Sequence, residues 1–436
     1  MNSLHEWLDY ISETHTSEIE MGLDRIRRVF ERMSVSKKSN TFKPPKLVVV
    51  SGTNGKGSTI ALIESGLISM GFTVGSYTSP HIRKYNERVK INAQPVSDDI
   101  LIRSFEEVGS ARAGVPLTYF EFGTLAAFDV LFNRELDVLI LEIGLGGRLD
   151  AVNIIDADLA IITSVALDHT DWLGESLEGI GLEKAGILRP NGWAILGESL
   201  PVSISLHAQT LSCKTLTVHQ DIIRNAQGVV LEGESGAKKY QGFPNVRLPE
   251  NNILIALQAV KMLSESLIQE SQPTFSYESM VECFTNVKIE GRLEEVINEA
   301  LGSNHRVFLD VGHNPHAAKY LLSVLKDLKS PDMVVNAVYS SLADKDVVSL
   351  VEILHPVIDT WFLAPLDNAR ALDLVALEAA VGEFTKNMLS FESLHEALQS
   401  ALVLSLGEAG FEQKSITLVF GSFYVIDAAK AYFEGL

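Results

Sequence analysis

Apolar residues along this chain gather into short unbroken runs, and the stretches between them carry apolar positions three and four apart. Runs at 47–51 (LVVVS), 74–78, 137–143 (DVLILEI) and 158–167 are of the kind found in parallel strands buried on both faces. Ile60, Ile63 and Leu67 recur with helical spacing up to Gly71, a stop signal. The first residues predict a helix through Leu4, Trp7, Leu8 and Ile11, then a loop at 15–21, a basic amphipathic helix at 22–33 and a polar linker at 37–45. Residues 115–122 (VPLTYFEF) form an aromatic stretch before a helix expected from about Gly123, and 252–264 predicts another helix. Between 197 and 249 the signal weakens into short mixed strands and turns. The pattern restarts near 288–292, with strands expected at 307–311, 334–338, 361–364 and 416–420. Leu394, Ala397, Leu398, Ala401 and Leu402 mark a helical stripe there. Strands alternating with helices imply parallel sheets with right-handed crossovers.

The stretch 46–59, KLVVVSGTNGKGST, joins one such strand to a helix through a glycine-rich turn. Gly52, Gly55 and Gly57 let backbone N–H groups wrap a phosphate, Lys56 supplies a point charge, and Ser58 a hydroxyl suited to Mg²⁺. The spacing departs from G-x-x-x-x-G-K-[ST]: one glycine is closer, and another separates Lys56 from Ser58. An ordinary turn would need neither the lysine nor the serine. The fold expected is α/β: a P-loop-type, mostly parallel sheet in an N-terminal phosphate-binding domain (1–290), plus a smaller Rossmann-like α/β domain (291–436).

Ligands of open α/β sheets sit beyond the carboxyl ends of the strands, where Ser79, Glu142 and His169 also fall. Glu142 could hold a cation or be a satisfied buried carboxylate. His169 is open between a ligand and a structural hydrogen-bonder. Lys184, in EKAGI, reads as a surface lysine; buried beside cations, its neutral amine could react with CO₂. In DVGHNPH, Asp310 is placed for a ribose or a helix cap, and His313 and His316 for phosphate or base. Arg292 could reach phosphates or an interdomain carboxylate, and the run Asp344, Lys345, Asp346 reads as solvated.

Composition narrows the class. At 436 residues, 46% hydrophobic and 21% charged, the chain is globular and too long for one ordinary core. A net charge of −20 argues against a nucleic-acid surface, and two cysteines argue against a disulfide framework or C-x-x-C zinc site. The acidic, helical N-terminus is unlike a signal peptide, and no apolar run reaches membrane-spanning length. A cytoplasmic enzyme without membrane or nucleic-acid partners is expected.

Taken in order, SGTNGKGST, YTSPHIRKYNERVKIN, LTYFEFGTLAA, LEIGLGGRLDAVN, TSVALDHTDWLG, EKAGI, EGR and LDVGHNPHA resemble the folylpolyglutamate synthase family, which belongs with the Mur ligases. The resemblance spans nearly the whole chain and is greatest to the bacterial bifunctional members that also act as dihydrofolate synthases. It implies ATP at Gly52, Thr53, Asn54, Gly55, Lys56, Gly57 and Ser58, with further nucleotide contacts from Asn252, Arg292 and Asp310. It implies Mg²⁺ at two sites held by Ser79, Glu142 and His169, with K⁺ as a further candidate, and carbamylation of Lys184. Catalysis would rest on Lys56, Glu142, His169 and Lys184. The pterin-bearing substrate would meet Glu18, Ile19, Glu20, Met21, Thr118, Tyr119, Phe120, Glu121, Leu149, Asp150 and Ala151. Dihydropteroate, reduced folates, L-glutamate and ATP are the implied small-molecule partners of a monomer, with a hinge at 288–292.

Overall fold

The computed structural model describes residues 3–13, 20–33, 44–233, 236–267, 274–298, 304–406 and 414–435, the last two residues of the 304–406 stretch by backbone alone. The chain divides into two compact units, Met1–Val287 and Lys288–Leu436.

The first unit is built on an eight-stranded sheet. Its strands are β1 (Lys46–Ser51), β2 (Val74–Tyr77), β3 (Val89–Ile91), β4 (Gln94–Pro95), β5 (Val138–Glu142), β6 (Leu159–Ile162), β7 (Trp193–Leu196) and β8 (Lys214–Thr217), in the order β4-β3-β2-β5-β1-β6-β7-β8. All neighbours run parallel except β2–β3 and β3–β4, a short antiparallel edge. The strands with unbroken apolar runs, β5 and β6, are buried at every position, because helices cover both faces of a parallel sheet. Register aligns Val50 with Glu142 on one side and Ser51 with Ile162 on the other. The carboxyl ends of β2, β5, β1 and β6 therefore stand side by side.

Helix Lys56–Ser69 follows β1 and packs on helix Glu250–Leu267. Gly66 permits that approach: a Cβ there would lie 2.9 Å from Val260 Cγ2. Helix Tyr119–Phe132 starts four residues before the expected Gly123, because Thr118 and Glu121 form a capping box. That T-x-x-E signal was hidden inside an aromatic run. Trp7, Phe105 and Phe122 cluster with ring centroids about 6 Å apart, pinning the N-terminal helix Leu4–Glu13 to this layer. The weak region contains, besides β8 and a three-stranded antiparallel sheet of β9 (Ile223–Asn225), β10 (Gly228–Leu231) and β11 (Lys238–Tyr240), a helix Val202–Thr210 that the pattern did not predict.

The second unit carries β12 (Glu294–Glu295), β13 (His305–Asp310), β14 (Val334–Tyr339), β15 (Thr360–Leu363), β16 (Met388–Ser390) and β17 (Ser415–Phe420), in the order β12-β13-β17-β14-β15-β16. Only β12 is antiparallel. Trp361, Tyr339, Phe308 and Phe420 fill its core, and the striped helix runs Leu394–Leu406. Among the described residues no helix is long and apolar enough to cross a membrane.

Candidate active site

The turn after β1 takes a shape that only glycine allows at two points. Gly52 has φ +155°, and a Cβ there would lie 1.9 Å from Thr163 Oγ1. Gly55 has φ +87°, and a Cβ would lie 2.5 Å from Asn252 Oδ1, which brings the expected nucleotide contact Asn252 against the loop. The loop is braced by the segment leaving β6. Thr163 Oγ1 and Ser164 Oγ donate to the Asn54 carbonyl at 2.7 and 2.9 Å, Asn54 N–H donates to Ser164 Oγ at 3.0 Å, and Ala166 N–H donates to Thr53 Oγ1 at 3.0 Å. Asn251 Nδ2 donates to the Thr163 carbonyl at 2.9 Å, tying this brace to the helix that carries Asn252. The sequence reading missed Thr163, Ser164 and Asn251; small polar residues just past a buried strand were the available signal. Lys56 folds back, its ammonium donating to the Gly52 carbonyl at 3.0 Å, while Gly57 and the buried Ser58 occupy the first helical turn. That leaves a helix N-terminus, a cation and loop amides at one strand end, a setting for polyphosphate.

Ser79 follows β2, Glu142 ends β5 and His169 lies seven residues beyond β6, all three after strands of the parallel sheet that carries the glycine turn. Ser79 N–H donates to Glu142 Oε2 at 2.9 Å, joining two of them directly. Glu142 is buried. His169 is exposed, takes a left-handed conformation (φ 52°) and precedes the short helix Thr170–Leu173. Such a conformation in a non-glycine residue is uncommon and clusters at functional sites. Among the described residues no group of three or more His, Cys, Asp or Glu is arranged to hold a metal ion by itself. A sparse set of one carboxylate, one hydroxyl and one imidazole fits a cation that keeps water and phosphate ligands, as Mg²⁺ does.

Lys184, at the end of helix Leu177–Ala185, is buried, which corrects the surface reading. Burial first, then the Lys56 ammonium, lowers its pKa to about 7, against the upward pull of Asp168 and Asp150. Asp150 is also buried, and burial raises it to about 7 although N–H groups of Leu145, Val152 and Gly144 and the charge of Lys56 oppose this. Charged groups from four separate segments thus act on one another beside the loop.

The residues expected to meet the pterin-bearing substrate gather in part. Arg25 pairs with Glu20 and, at 3.1 Å, with the buried Glu121, so the segment entering helix Asp24–Phe30 and the capping box of Thr118 are joined. Phe120 stacks on Tyr77 and lies against Gly144, where a Cβ would be 2.6 Å from its ring. Met21 approaches the same glycine-rich segment at Gly146. Tyr119 is half-buried and Ala151 buried. Asp150 spends both oxygens locally, accepting from Leu145 and Val152 N–H at 2.8 and 2.9 Å, and Leu149 before it is half-buried. Glu18 and Ile19 lie outside the described residues.

In the second unit, Asp310 ends β13, accepting from Leu293 N–H at 2.9 Å and Gly312 N–H at 2.7 Å. Burial raises its pKa against the charge of Arg292, whose guanidinium also lies 5.7 Å from the Phe423 ring. Asn314, not Asp310, caps helix Pro315–Leu328. His313 Nδ1 is 2.8 Å from the Val311 carbonyl, and His316 is exposed one residue into the helix. The Asp344–Lys345–Asp346 run is less solvated than expected: the Lys345 side chain is buried, 3.2 Å from Asp344, and Asp346 caps helix Val347–Leu354.

The Mur ligase glutamate ligase domain matches residues 291–423. The dihydrofolate synthase/folylpolyglutamate synthase of Escherichia coli K12 is 36% identical, the match covering 97% of this chain and 94% of that protein. A structure of E. coli FolC in complex with DHPP and ADP superposes with a TM-score of 0.87 at 35% identity, covering 100% of this chain and 98% of the other. A bifunctional folylpolyglutamate synthase/dihydrofolate synthase with Mn, AMPPNP and L-glutamate bound gives 0.84 at 34% identity, with 100% and 98% covered. The chain belongs to the dihydrofolate synthase/folylpolyglutamate synthase family.

Proposed function

We propose that this chain is an ATP-dependent amide ligase that adds L-glutamate to dihydropteroate and to the γ-carboxyl of reduced folates. The observation that carries the reading is the set of four adjacent strand ends, which bear the glycine loop, Ser79, Glu142 and His169. Relatives bound to ADP, or to AMPPNP with Mn and L-glutamate, support it further.

The substrate carboxylate attacks the γ-phosphoryl of ATP, forming an acyl phosphate and releasing ADP. The neutral amine of L-glutamate then attacks the activated carbonyl, and phosphate leaves as the amide forms. Loop amides from Gly52 to Ser58 and the Lys56 ammonium hold the triphosphate, so catalysis is largely positioning and electrostatics. Ser79, Glu142 and His169 would hold Mg²⁺, which supplies charge neutralisation to the phosphates when bound. Tyr119, Phe120, Glu121 and Glu20–Met21 orient the pterin-bearing substrate. Asn252, which lies against the loop, contacts the nucleotide.

Within the same proposal, residues 1–290 form the ATP-binding domain and 291–436 the ligase domain; the family match beginning at 291 supports this division. Lys184 is carbamylated, which its burial and lowered pKa favour. K⁺ assists as a second kind of cation. The enzyme works as a cytoplasmic monomer, without nucleic-acid or membrane partners.

Purified protein given dihydropteroate, ATP and L-glutamate should release phosphate and form dihydrofolate by mass analysis; no phosphate above background removes the synthase half. Lys56→Ala should abolish turnover, and full activity in that variant refutes the phosphate role of the loop.

A further inference from the structure

Arg88 ends the short 3-10 turn Tyr85–Arg88 and is only 8% exposed. A guanidinium stays protonated inside a protein, so burying one calls for a carboxylate or a full set of acceptors. Among the described residues no carboxylate pairs with it. Its Nε donates to His81 Nδ1 at 2.9 Å, the buried Tyr77 stands near it, and the Tyr85 and Tyr119 rings lie 5.2 and 5.6 Å from its central carbon. These phenols do not act as counter-ions, since burial pushes Tyr77 up to about 12 and Tyr85 well above its ordinary value. The buried Tyr85 hydroxyl has no partner of its own.

The place of this charge is informative. Thr78 N–H donates to the Arg88 carbonyl at 2.8 Å, which fixes Arg88 beside the turn that delivers Ser79. On its other side stands Tyr119, the first residue of the helix that carries Phe120 and Glu121. A held but uncompensated cation therefore lies between a residue assigned to the cation site and one assigned to the substrate's rings.

We propose that Arg88 binds the carboxylate of the pteroyl substrate, with His81, Tyr85 and Tyr119 holding its guanidinium in place. The inference rests on the ligase reading and deepens it, making Arg88 the group that selects an acid over a neutral analogue. An amide in the same place would leave a desolvated guanidinium without its counter-charge.

Binding of dihydropteroate and of its carboxamide analogue, measured by calorimetry on the full chain, tests this. The wild type should prefer the carboxylate by about 10- to 100-fold, the range set by hydrogen bonds to charged groups. Arg88→Gln should erase that preference by weakening dihydropteroate alone, with ADP affinity unchanged. Arg88→Lys, which keeps the charge without the planar fork, should retain an intermediate preference. No wild-type preference, or equal weakening of both ligands in Arg88→Gln, overturns the proposal in favour of a packing role. Should Arg88→Gln fail to fold, the wild-type comparison and Arg88→Lys decide. A wild type that prefers the carboxylate but releases no phosphate with ATP and L-glutamate refutes the ligase reading alone. Turnover without carboxylate preference refutes the Arg88 proposal alone.

Discussion

Glu142 of the first unit and Asp310 of the second unit have a similar sequence setting, each an acid that follows an apolar run at the end of its strand. Both are buried at the carboxyl end of a parallel strand. Their partners differ. Glu142 accepts an N–H from Ser79, in the turn beyond a neighbouring strand, so it ties together two parts of the candidate site. Asp310 gives one oxygen to Leu293 and the other to Gly312, so it locks the chain entering β12 to the turn leaving β13. A strand-end acid can thus tie two neighbouring strand ends together or brace the backbone on either side of its own strand. The accepted N–H groups distinguish the two, and sequence position does not.

The largest effect should come from setting those two acids against each other. Glu142→Gln should lower kcat by roughly 10²–10³-fold, the range for losing one group that stabilises developing charge, with little change in melting temperature. Asp310→Asn replaces an acceptor oxygen with a donor facing a backbone N–H, so it should lower stability by about 1–3 kcal/mol. The checks are steady-state kinetics beside thermal melts of both variants. A Glu142→Gln protein that melts early but turns over normally would reverse the contrast.

How far sequence reached follows the same line. The strands were legible because burial on both faces leaves an unbroken apolar run, as in β5 and β6. The meeting of Ser79 with Glu142 was legible because both follow neighbouring parallel strands, at the end of the sheet where ligands of such folds sit. The burial of Lys184 was not, because EKAGI is ordinary helical sequence and the packing depends on a distant loop, where Arg148 N–H donates to the Glu183 carbonyl at 2.8 Å. The early helix start at Tyr119 was missed because three aromatic letters obscured a capping box. Helix Val202–Thr210 has almost no apolar stripe to read, since only Ile204 and Ala208 are buried.

The next effect sharpens what makes the first unit a ligand edge. Gly55→Ala forces a left-handed residue and a Cβ onto Asn252. About 1–2 kcal/mol of backbone strain, if released by moving the loop, is worth roughly 10-fold in nucleotide affinity. A nucleotide titration showing unchanged affinity would mean the loop shape is not what holds the phosphates.

A smaller effect concerns pH. With its amine left uncarbamylated, as in protein kept free of CO₂, Lys184 loses its proton near 7 in the folded chain but near 10.5 when unfolded, so the unfolded state binds more protons between those values and stability rises with pH across that window. Asp150 acts lower: raised from 3.8 to about 7, it makes stability fall as pH climbs between those values. Urea midpoints above pH 7 isolate the lysine, and Lys184→Met should flatten the rise. A wild-type midpoint that is already flat there would indicate that Lys184 is not the neutral buried amine its surroundings favour.

The smallest effect compares one ion pair in each unit. Arg25 joins Glu20 to Glu121, two segments assigned to the pterin-bearing substrate, whereas Arg306 grips Glu295 at 2.6 and 2.9 Å across β12 and β13. The Arg306–Glu295 pair, about a third exposed, is worth about 0.2–1 kcal/mol, and the buried Glu121 still accepts from Thr118 N–H at 2.9 Å when Arg25 is lost. Arg25→Met keeps the apolar stem and removes the charge, so its loss should appear as a two- to fivefold rise in KM for dihydropteroate with kcat unchanged. Arg306→Met removes a better-formed pair, yet it should move only the melting temperature, because neither partner borders a substrate segment. If Arg306→Met raised that KM as much as Arg25→Met, ion-pair loss would be acting through general loosening, and the assignment of Glu20 and Glu121 to the substrate would lose its support.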